Sequence, residues 1–309
     1  MALYSIQKNI LKSVNARDFK LERDMQVLLE ENLEEVFGLK FVSTEFQLHN
    51  LRVDTLAYDE ESNSFVIIEY KRDKSSSVVD QGYAYLSLAL NNKADFILEY
   101  NEKTGQTLSK QTVDWSATRV IFVAARFTTH QLGAINFQDL PIELWKVRLY
   151  DGDLLSVEQQ IADSNAESIK TISKKSTSSD VVKKEIKTFS VDDLVPPDYP
   201  MREEFEKLSQ AILDLDVDIR ETAKSAYINY WYKHKAFAYL HPRKERLIVD
   251  LNRTLPEDLD DPKGMVRYLE KSMAYKNRNV SQISIRKSSD IPYAISIIEQ
   301  VYENTKKLF

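Results

Sequence analysis

The stretch VDTLAYDEESNSFVIIEYK, residues 53–71, decides the fold of the first half of the chain. Its segment Phe65–Ile68 is apolar and rich in β-branched residues, which is typical of a buried strand. The polar residues 59–64 predict a turn that joins this strand to a preceding one. Because side chains alternate along a strand, Glu69 and Lys71 project to the same face just after the buried segment.

The end of this strand carries a cluster of charges. An antiparallel pairing centred on the turn brings Asp54 of the preceding strand close to Glu69. Two carboxylates on neighbouring strands offer the hard oxygen ligands that Mg²⁺ and related cations prefer. Lys71 beside them can orient or deprotonate a water molecule, or stabilise negative charge that develops on a phosphate. The cluster therefore predicts a divalent-metal site.

The elements around these strands predict a mixed α/β domain. Residues 21–37 have apolar side chains near helical spacing, and Gly38 follows them as a residue that commonly ends a helix. Further predictions are strands over 41–49, 52–58, 119–127 and 142–150, a helix over 78–90, and a short helix that begins at Thr128. The order helix, three strands, helix, strand, helix, strand is that of an α/β domain with a mixed sheet.

The chain length of 309 residues exceeds the usual size of one compact core and predicts two domains. Residues 163–200 are rich in Ser, Thr, Lys and Asp and end in a proline-rich segment, a composition typical of a linker. We therefore expect a first domain over 1–162 and a second, smaller α+β domain over 201–309. In the second domain the pattern predicts a helix over 201–215, two or three antiparallel strands over 224–252, and helices over 262–272 and 291–306.

Composition excludes several classes of protein. The absence of cysteine rules out disulfide frameworks, thiolate zinc sites and cysteine nucleophiles. No apolar run approaches the roughly 20 residues that span a bilayer, and no secretory signal is seen, so we expect a cytoplasmic location and no membrane. The net charge of −6 argues against a uniformly basic nucleic-acid binder, although the negative excess lies in the first 200 residues.

Four motifs of the first domain, in order, resemble those of the PD-(D/E)xK phosphodiesterase superfamily, and within it the NucS-type DNA endonucleases. The matching residues are Glu22 on the opening helix ahead of Gln26, Asp54 in RVDTLAYD, the run Glu69-Tyr70-Lys71-Arg72, and Gln81 in the Q-x-x-x-Y pattern of QGYAY. Val53 stands where the superfamily has its name-giving proline. The resemblance covers about residues 22–89 and implies a restriction-endonuclease-like mixed sheet flanked by helices.

The resemblance also implies roles for these residues. Glu22, Asp54 and Glu69 would hold Mg²⁺ or Mn²⁺, Lys71 would assist the attacking water, and Gln81 would position the site. In a simpler interpretation, Glu69 and Lys71 form a solvated strand end and pair only with each other, at little energetic weight. A lone E-x-K favours that simpler interpretation, whereas four motifs in order on the predicted elements favour a nuclease-type site.

The second domain interleaves aromatic residues with cations. These residues are Tyr227, Tyr230, Trp231, Tyr232, Lys233, Lys235, Arg243, Lys244 and Arg246. Such residues can stack on bases and contact phosphates, but a sheet with its aromatics inside and its lysines outside has the same pattern. The domain loosely resembles uncharacterised domains that follow such nuclease domains, some of them labelled predicted transport proteins.

Other signals are weak. The four histidines, His49, His130, His234 and His241, lack metal-ligand spacing, and no phosphate-binding glycine motif occurs. The expected function is a metal-dependent DNA endonuclease whose second domain selects the substrate or a partner. Two alternatives stay open: a nuclease-fold protein that binds nucleic acid or a protein without cleavage, and an interaction protein whose acids are ordinary surface residues. DNA is the expected partner, and the oligomeric state, including a homodimer, stays open.

Overall fold

The computed structural model describes residues 2–48, 51–71, 78–135, 140–161, 189–269 and 278–309. The chain forms two compact units, Met1–Lys187 and Thr188–Phe309. Within the described ranges, no helix is both long enough and apolar enough to cross a membrane.

The first unit is built on a seven-stranded mixed sheet with helices on both faces, together with a separate two-stranded ribbon. Its strands are β1 (Leu3–Gln7), β2 (Ile10–Val14), β3 (Ala16–Arg17), β4 (Lys40–Leu48), β5 (Leu51–Asp59), β6 (Ser64–Lys71), β7 (Arg119–Ala124), β8 (Ile142–Tyr150) and β9 (Leu154–Gln160). Its helices are α1 (Glu22–Glu31), α2 (Leu33–Phe37), α3 (Val78–Asn91), α4 (Lys93–Thr104) and α5 (Thr129–Ala134). The strand order in the sheet is β3-β8-β7-β6-β5-β4, and β9 pairs with β8.

Strands β5, β6 and β7 form the centre of this sheet. β5 and β6 are antiparallel, with Tyr58 opposite Phe65 and Thr55 opposite Ile68, which is the turn-centred pairing that the sequence predicts. β6, β7 and β8 are parallel. Apolar cores lie on both faces, one under α3 and α4 and the other under α1 and α2. The predicted mixed sheet flanked by helices is thus confirmed.

Some elements of the first unit differ from the prediction. The opening helix is divided at Asn32 into α1 and α2, and Gly38 ends α2 in the left-handed conformation with a φ of 66°. The ribbon β1–β2, the helix α4 and the edge strand β9 were not predicted. Residues 162–188, which cover most of the predicted linker, lie outside the described residues.

The second unit is an antiparallel sheet with helices on one face, which confirms the predicted smaller α+β domain. Its strand order is β10-β11-β12-β13-β15-β14, and two long helices contribute to its apolar core. The elements are α6 (Val191–Leu194), α7 (Arg202–Leu213), β10 (Ile219–Ala223), β11 (Ile228–Tyr232), β12 (Lys235–Arg243), β13 (Arg246–Asn252), β14 (Arg267–Leu269), β15 (Val280–Ile285) and α8 (Ile291–Lys306).

Two segments of the second unit correct the sequence-based picture. Val195, from the segment assigned to the linker by composition, is fully buried in the core of this unit. The helix predicted over 262–272 is wrong in its described part, because β14 occupies Arg267–Leu269. The carboxylate of Asp261 accepts the N–H groups of Met265 and Val266, and Gly264 has a φ of 61°, so the chain turns there into a strand.

Candidate functional site

Two acids meet at the ends of β5 and β6. Asp54 directly precedes the paired residue Thr55, so the register carries it opposite Glu69. The Oδ2 atom of Asp54 accepts the backbone N–H of Tyr70 at 3.0 Å. Glu69 is only 5% exposed although it lies near the end of a strand. The predicted proximity of the two carboxylates is therefore present in the structure.

Glu69 is surrounded by donors. Its Oε1 atom accepts from Lys71 Nζ at 2.6 Å and from Gln81 Nε2 at 2.8 Å, and its Oε2 atom accepts from the Tyr85 hydroxyl at 2.8 Å. A buried carboxylate with three donors differs from a solvated strand end. The simpler interpretation of Glu69 and Lys71, as a solvated surface pair, is therefore wrong.

Helix α3 brings Gln81 and Tyr85 to Glu69. The two residues are four apart and share one face of the helix. Gly82 lies between them, and a Cβ atom there would come within 2.5 Å of Ile142 Cδ1, so the absence of a side chain lets α3 approach β8 closely. The sequence resemblance indicated Gln81, but it gave no role to Tyr85, whose hydroxyl also lies 3.1 Å from the carbonyl oxygen of Arg52.

The electrostatics of the site centre on Asp54. Its pKa is raised from 3.8 to about 7, first by burial and then by the negative charge of Glu69. The N–H of Tyr70 and the charge of Lys71 oppose this shift, while Glu22 adds to it weakly. Negative charge therefore exceeds positive charge at Asp54, and a cation placed there would relieve the excess.

Helix α1 presents three polar residues on successive turns, namely Glu22, Gln26 and Glu30. Gln26 Nε2 lies within hydrogen-bond distance of the Asp54 carbonyl oxygen at 3.0 Å, Thr44 Oγ1 at 3.1 Å and Glu30 Oε1 at 3.0 Å. Gln26 thereby ties α1 to the backbone of β5 at Asp54. Glu22 is exposed in the first turn of α1 and influences Asp54 through its charge.

Thr55 and Tyr70 continue this network behind the two acids. The Thr55 hydroxyl donates to Glu30 Oε1 and lies 3.4 Å from the Tyr70 hydroxyl. Both residues are fully buried, and burial raises the pKa of Tyr70 above its ordinary value. Sequence reasoning missed this network, although the four-residue spacing of Glu22, Gln26 and Glu30 was available as a signal.

The donor set fits a hydrated divalent cation held by few protein ligands. Among the described residues, no group of three or more His, Cys, Asp or Glu side chains is arranged to hold a metal ion. Mg²⁺ commonly binds through one or two carboxylates and keeps several waters. Asp54 Oδ1 accepts no hydrogen bond in the described part of the chain, and Glu69 Oε2 accepts only one, so both keep acceptor capacity. The three-ligand set that includes Glu22 stays a prediction.

The aromatic residues singled out in the second unit are partly core residues. Tyr230 and Tyr232 are buried in its apolar core and are therefore not available for stacking. Trp231 is half-buried and donates from Nε1 to Thr222 Oγ1 at 2.8 Å. His241 lies 3.0 Å from the carboxylate of Asp250. His130 is exposed, the ring of His234 contacts that of Phe309, and His49 and Arg72 lie outside the described residues.

Comparison with known proteins gives one domain match and several partial similarities. Residues 196–305 match the model of a domain of unknown function, DUF5655. A repair endonuclease from Pyrococcus abyssi is 17% identical, with 47% of this chain and 64% of that chain covered and a TM-score of 0.23, so the chain spans less than two thirds of that enzyme. The EndoMS–dsDNA complex is similar in part, at 18% identity, with 42% of this chain and 57% of that chain covered and a TM-score of 0.21. Pyrococcus furiosus SfsA in complex with Ca²⁺ is also similar in part, at 10% identity, with 52% of this chain and 76% of that chain covered and a TM-score of 0.25.

One relative matches over nearly the whole chain. An uncharacterised protein from Haemophilus influenzae is 38% identical over 305 residues, which cover 98% of this chain and 100% of that protein. The chain belongs to the family of this Haemophilus influenzae protein.

Proposed function

We propose that the first unit is a metal-dependent DNA endonuclease that hydrolyses phosphodiester bonds, and that the second unit contributes to recognition of the substrate or of a partner. The observation that supports this function is the meeting of Asp54, Glu69, Lys71 and Gln81 at the ends of β5 and β6 and the start of α3. In metal-assisted hydrolysis of a phosphodiester, two carboxylates can hold the ion, an amine can stabilise charge or orient water, and an amide can position these groups.

In this proposal the carboxylates of Asp54 and Glu69, assisted by Glu22, hold Mg²⁺ or Mn²⁺. The bound ion supplies Lewis acidity toward a phosphate oxygen and a water molecule. Asp54 is prepared for this role because burial and neighbouring negative charge raise its pKa to about 7 in the metal-free protein. Glu69 is held in one orientation by Gln81 and Tyr85, so it can accept an ion without losing its position.

Lys71 acts on the reacting groups in this proposal. Its side chain is 18% exposed and its ammonium is held by Glu69 Oε1 at 2.6 Å, which places a cation at the edge of the site. From there it stabilises negative charge on the phosphate or orients the attacking water. Gln81 positions the site through the same Glu69 oxygen.

The test is cleavage of DNA by the purified full-length protein. We expect cutting with Mg²⁺ or Mn²⁺ and none with EDTA. Lys71→Ala should abolish cutting and leave most DNA binding, because one lysine is a small part of a phosphate footprint. Lys103→Ala, at an exposed lysine on α4, is the matched control and should cut normally.

Two results would contradict the proposal. Metal-independent cutting, or full activity of Lys71→Ala, would remove the assigned site. Salt-sensitive DNA binding without cutting by the wild-type protein would instead support a nuclease-fold protein that binds and does not cleave.

A further inference from the structure

The ribbon β1–β2 projects from the first unit. Its register pairs Gln7 with Ile10 around a two-residue turn, where Lys8 and Asn9 have φ values of 49° and 65°. That turn type suits a tight hairpin. No third strand joins the ribbon in the described part of the chain, and every residue from 6 to 13 is exposed. Residues 6–13 of the ribbon are therefore not packed against any other described part of the chain.

Both faces of the ribbon carry exposed apolar side chains. By the register, Tyr4, Ile6 and Leu11 share one face with Ser13 and are 52%, 74% and 62% exposed, whereas Ile10, 63% exposed, lies on the opposite face with Lys12. A two-stranded ribbon is marginal in water on its own, and large apolar side chains grouped on a projecting element mark a contact surface. Three side chains offer far less than the roughly 800 Å² per partner that a stable protein interface buries. This small area argues against a second copy of the chain as the occupant.

The charge of the ribbon points to a polyanion. No Asp or Glu occurs between Ala2 and Arg17, whereas the whole chain has a net charge of −6. Lys8 lies in the turn and Lys12 on β2, and neither pairs with an acid among the described residues. Arg17, at the root, contacts Asp151 and Asp153 instead and anchors the ribbon to the sheet. The two lysines thus remain available to phosphates.

A short stretch of chain connects the root of the ribbon to helix α1. Arg17 of β3 pairs with Leu149 of β8, and five residues later Glu22 begins α1 and acts on Asp54 through its charge. Five residues span at most about 18 Å even when fully extended. The start of α1 therefore lies no further than this from the root of the ribbon.

We propose that residues 3–14 form an arm that lies in a groove of DNA beside the candidate site. Lys8 and Lys12 contact phosphates, and Tyr4, Ile6 and Leu11 face the groove wall. The major groove of DNA admits a two-stranded ribbon, and apolar side chains contact the methyl groups of thymine there. This inference rests on the proposed function, because it takes DNA as the substrate of the adjacent site.

The test measures binding of the full-length protein to duplex and single-stranded DNA in EDTA over a range of salt concentrations. We expect Lys8→Gln/Lys12→Gln to weaken binding and to reduce the slope of log K against log salt by about 2 on duplex DNA. The control Lys103→Gln/Lys110→Gln removes the same charge from exposed positions in and after α4 and should keep the wild-type slope. Ile6→Ser/Leu11→Ser should weaken binding without changing the slope, because no ion is released by an apolar contact.

Folding is separated from binding by melting. Both arm variants should melt at the same temperature as the wild type, since residues 6–13 are exposed. Arm variants that bind as the wild type does, while the wild type cuts DNA, overturn this inference and leave the proposed function intact. A wild type that neither binds nor cuts DNA contradicts both. A dimer in light scattering that Ile6→Ser/Leu11→Ser dissociates, with DNA binding unchanged, assigns the arm to a second copy and overturns the inference.

Discussion

Asp59 and Asp54 lie on the same strand, β5, and have opposite electrostatics. Burial opposes ionisation of Asp59, but the guanidinium of Arg119 and hydrogen bonds from Ser62 outweigh burial, so the pKa of Asp59 is lowered. The Asp59–Arg119 distance is 2.9 Å. At the other end of the strand, burial and Glu69 raise the pKa of Asp54 to about 7.

The two ends of β5 differ in whether their buried charges are balanced by charges of the opposite sign; we call the end at Asp59 the balanced end. Arg119 also pairs with Glu143 at 2.8 Å, and Glu143 Oε2 accepts from Trp145 and Gln159, so each charged group at that end has a partner. At the Asp54 end, Lys71 is the one cation that acts on Asp54 among the described residues, and it faces two carboxylates and the added charge of Glu22. Removing one partner of a balanced buried pair leaves an uncompensated charge that destabilises the fold, whereas a buried excess of charge of one sign is typical of functional sites.

The largest change in stability is expected for Arg119, at the balanced end of β5. Arg119→Met leaves Asp59 and Glu143 buried without their cation and should lower the free energy of unfolding by about 3–5 kcal/mol. Urea unfolding at pH 7 measures the loss. The control Arg126→Met removes an exposed arginine that lies 3.6 Å from Asp18, and it should change stability by less than about 0.5 kcal/mol. Equal losses of stability in the two variants would mean that the cluster of Asp59, Arg119 and Glu143 does not stabilise the fold.

Asp54→Asn should raise the free energy of unfolding, whereas Arg119→Met should lower it. Asparagine keeps an oxygen for the N–H of Tyr70 and removes one of the repelling charges, so metal-free protein at pH 8 should become more stable, by about 4 kcal/mol if the whole shift of the Asp54 pKa from 3.8 to about 7 is relieved. The same change should abolish the rise in melting temperature that Mn²⁺ produces in the wild type, since that rise reports binding to the folded state. Marked destabilisation of metal-free Asp54→Asn, with no response of the wild type to Mn²⁺, would make Asp54 a structural acid like Asp59.

The pH dependence of this difference follows from the direction of the shift. Between pH 4 and pH 7 the folded state holds a proton on Asp54 that the unfolded state has lost, because the pKa is about 7 when folded and 3.8 ordinarily. The wild type therefore loses stability relative to Asp54→Asn as the pH rises through this window. We expect no difference near pH 4 and a full, constant difference above pH 7. Thermal unfolding of both proteins in EDTA at pH 4.5, 6 and 8 measures it; a difference that does not change with pH would contradict the raised pKa.

The contrast between the two ends also sets how much the sequence could predict. The register of β5 with β6 follows from a turn with strands of similar length on either side, and this local pattern was enough to bring Asp54 to Glu69. Asp59 belonged to the same turn and counted only as a polar residue, because its partner Arg119 is 60 residues away. The spacing of Gln26 and Glu30 on α1 shows that they share a face of the helix, but it does not identify Thr55 as a partner. Thr55 lies on β5, which contacts this face only once the helix packs on the sheet.

The smallest change in stability is expected when a buried threonine hydroxyl is removed, and it should depend on whether that hydroxyl is hydrogen-bonded. Thr55→Val keeps the shape of a fully buried side chain but removes the donor to Glu30, and it should cost about 1–2 kcal/mol of stability. Thr118, just before β7 at the balanced end, is also fully buried, yet its hydroxyl has no hydrogen-bond partner in the described part of the chain. Thr118→Val should therefore be neutral or stabilising, because it removes a buried polar group that has no hydrogen-bond partner in the described part of the chain.

Thr55→Val should also raise the Mn²⁺ concentration that stabilises the protein, since the network behind Asp54 is loosened, and Thr118→Val should not. Urea unfolding and Mn²⁺-dependent melting of both variants test this directly, and equal losses in the two would show that the hydroxyl of Thr55 plays no part in holding the site.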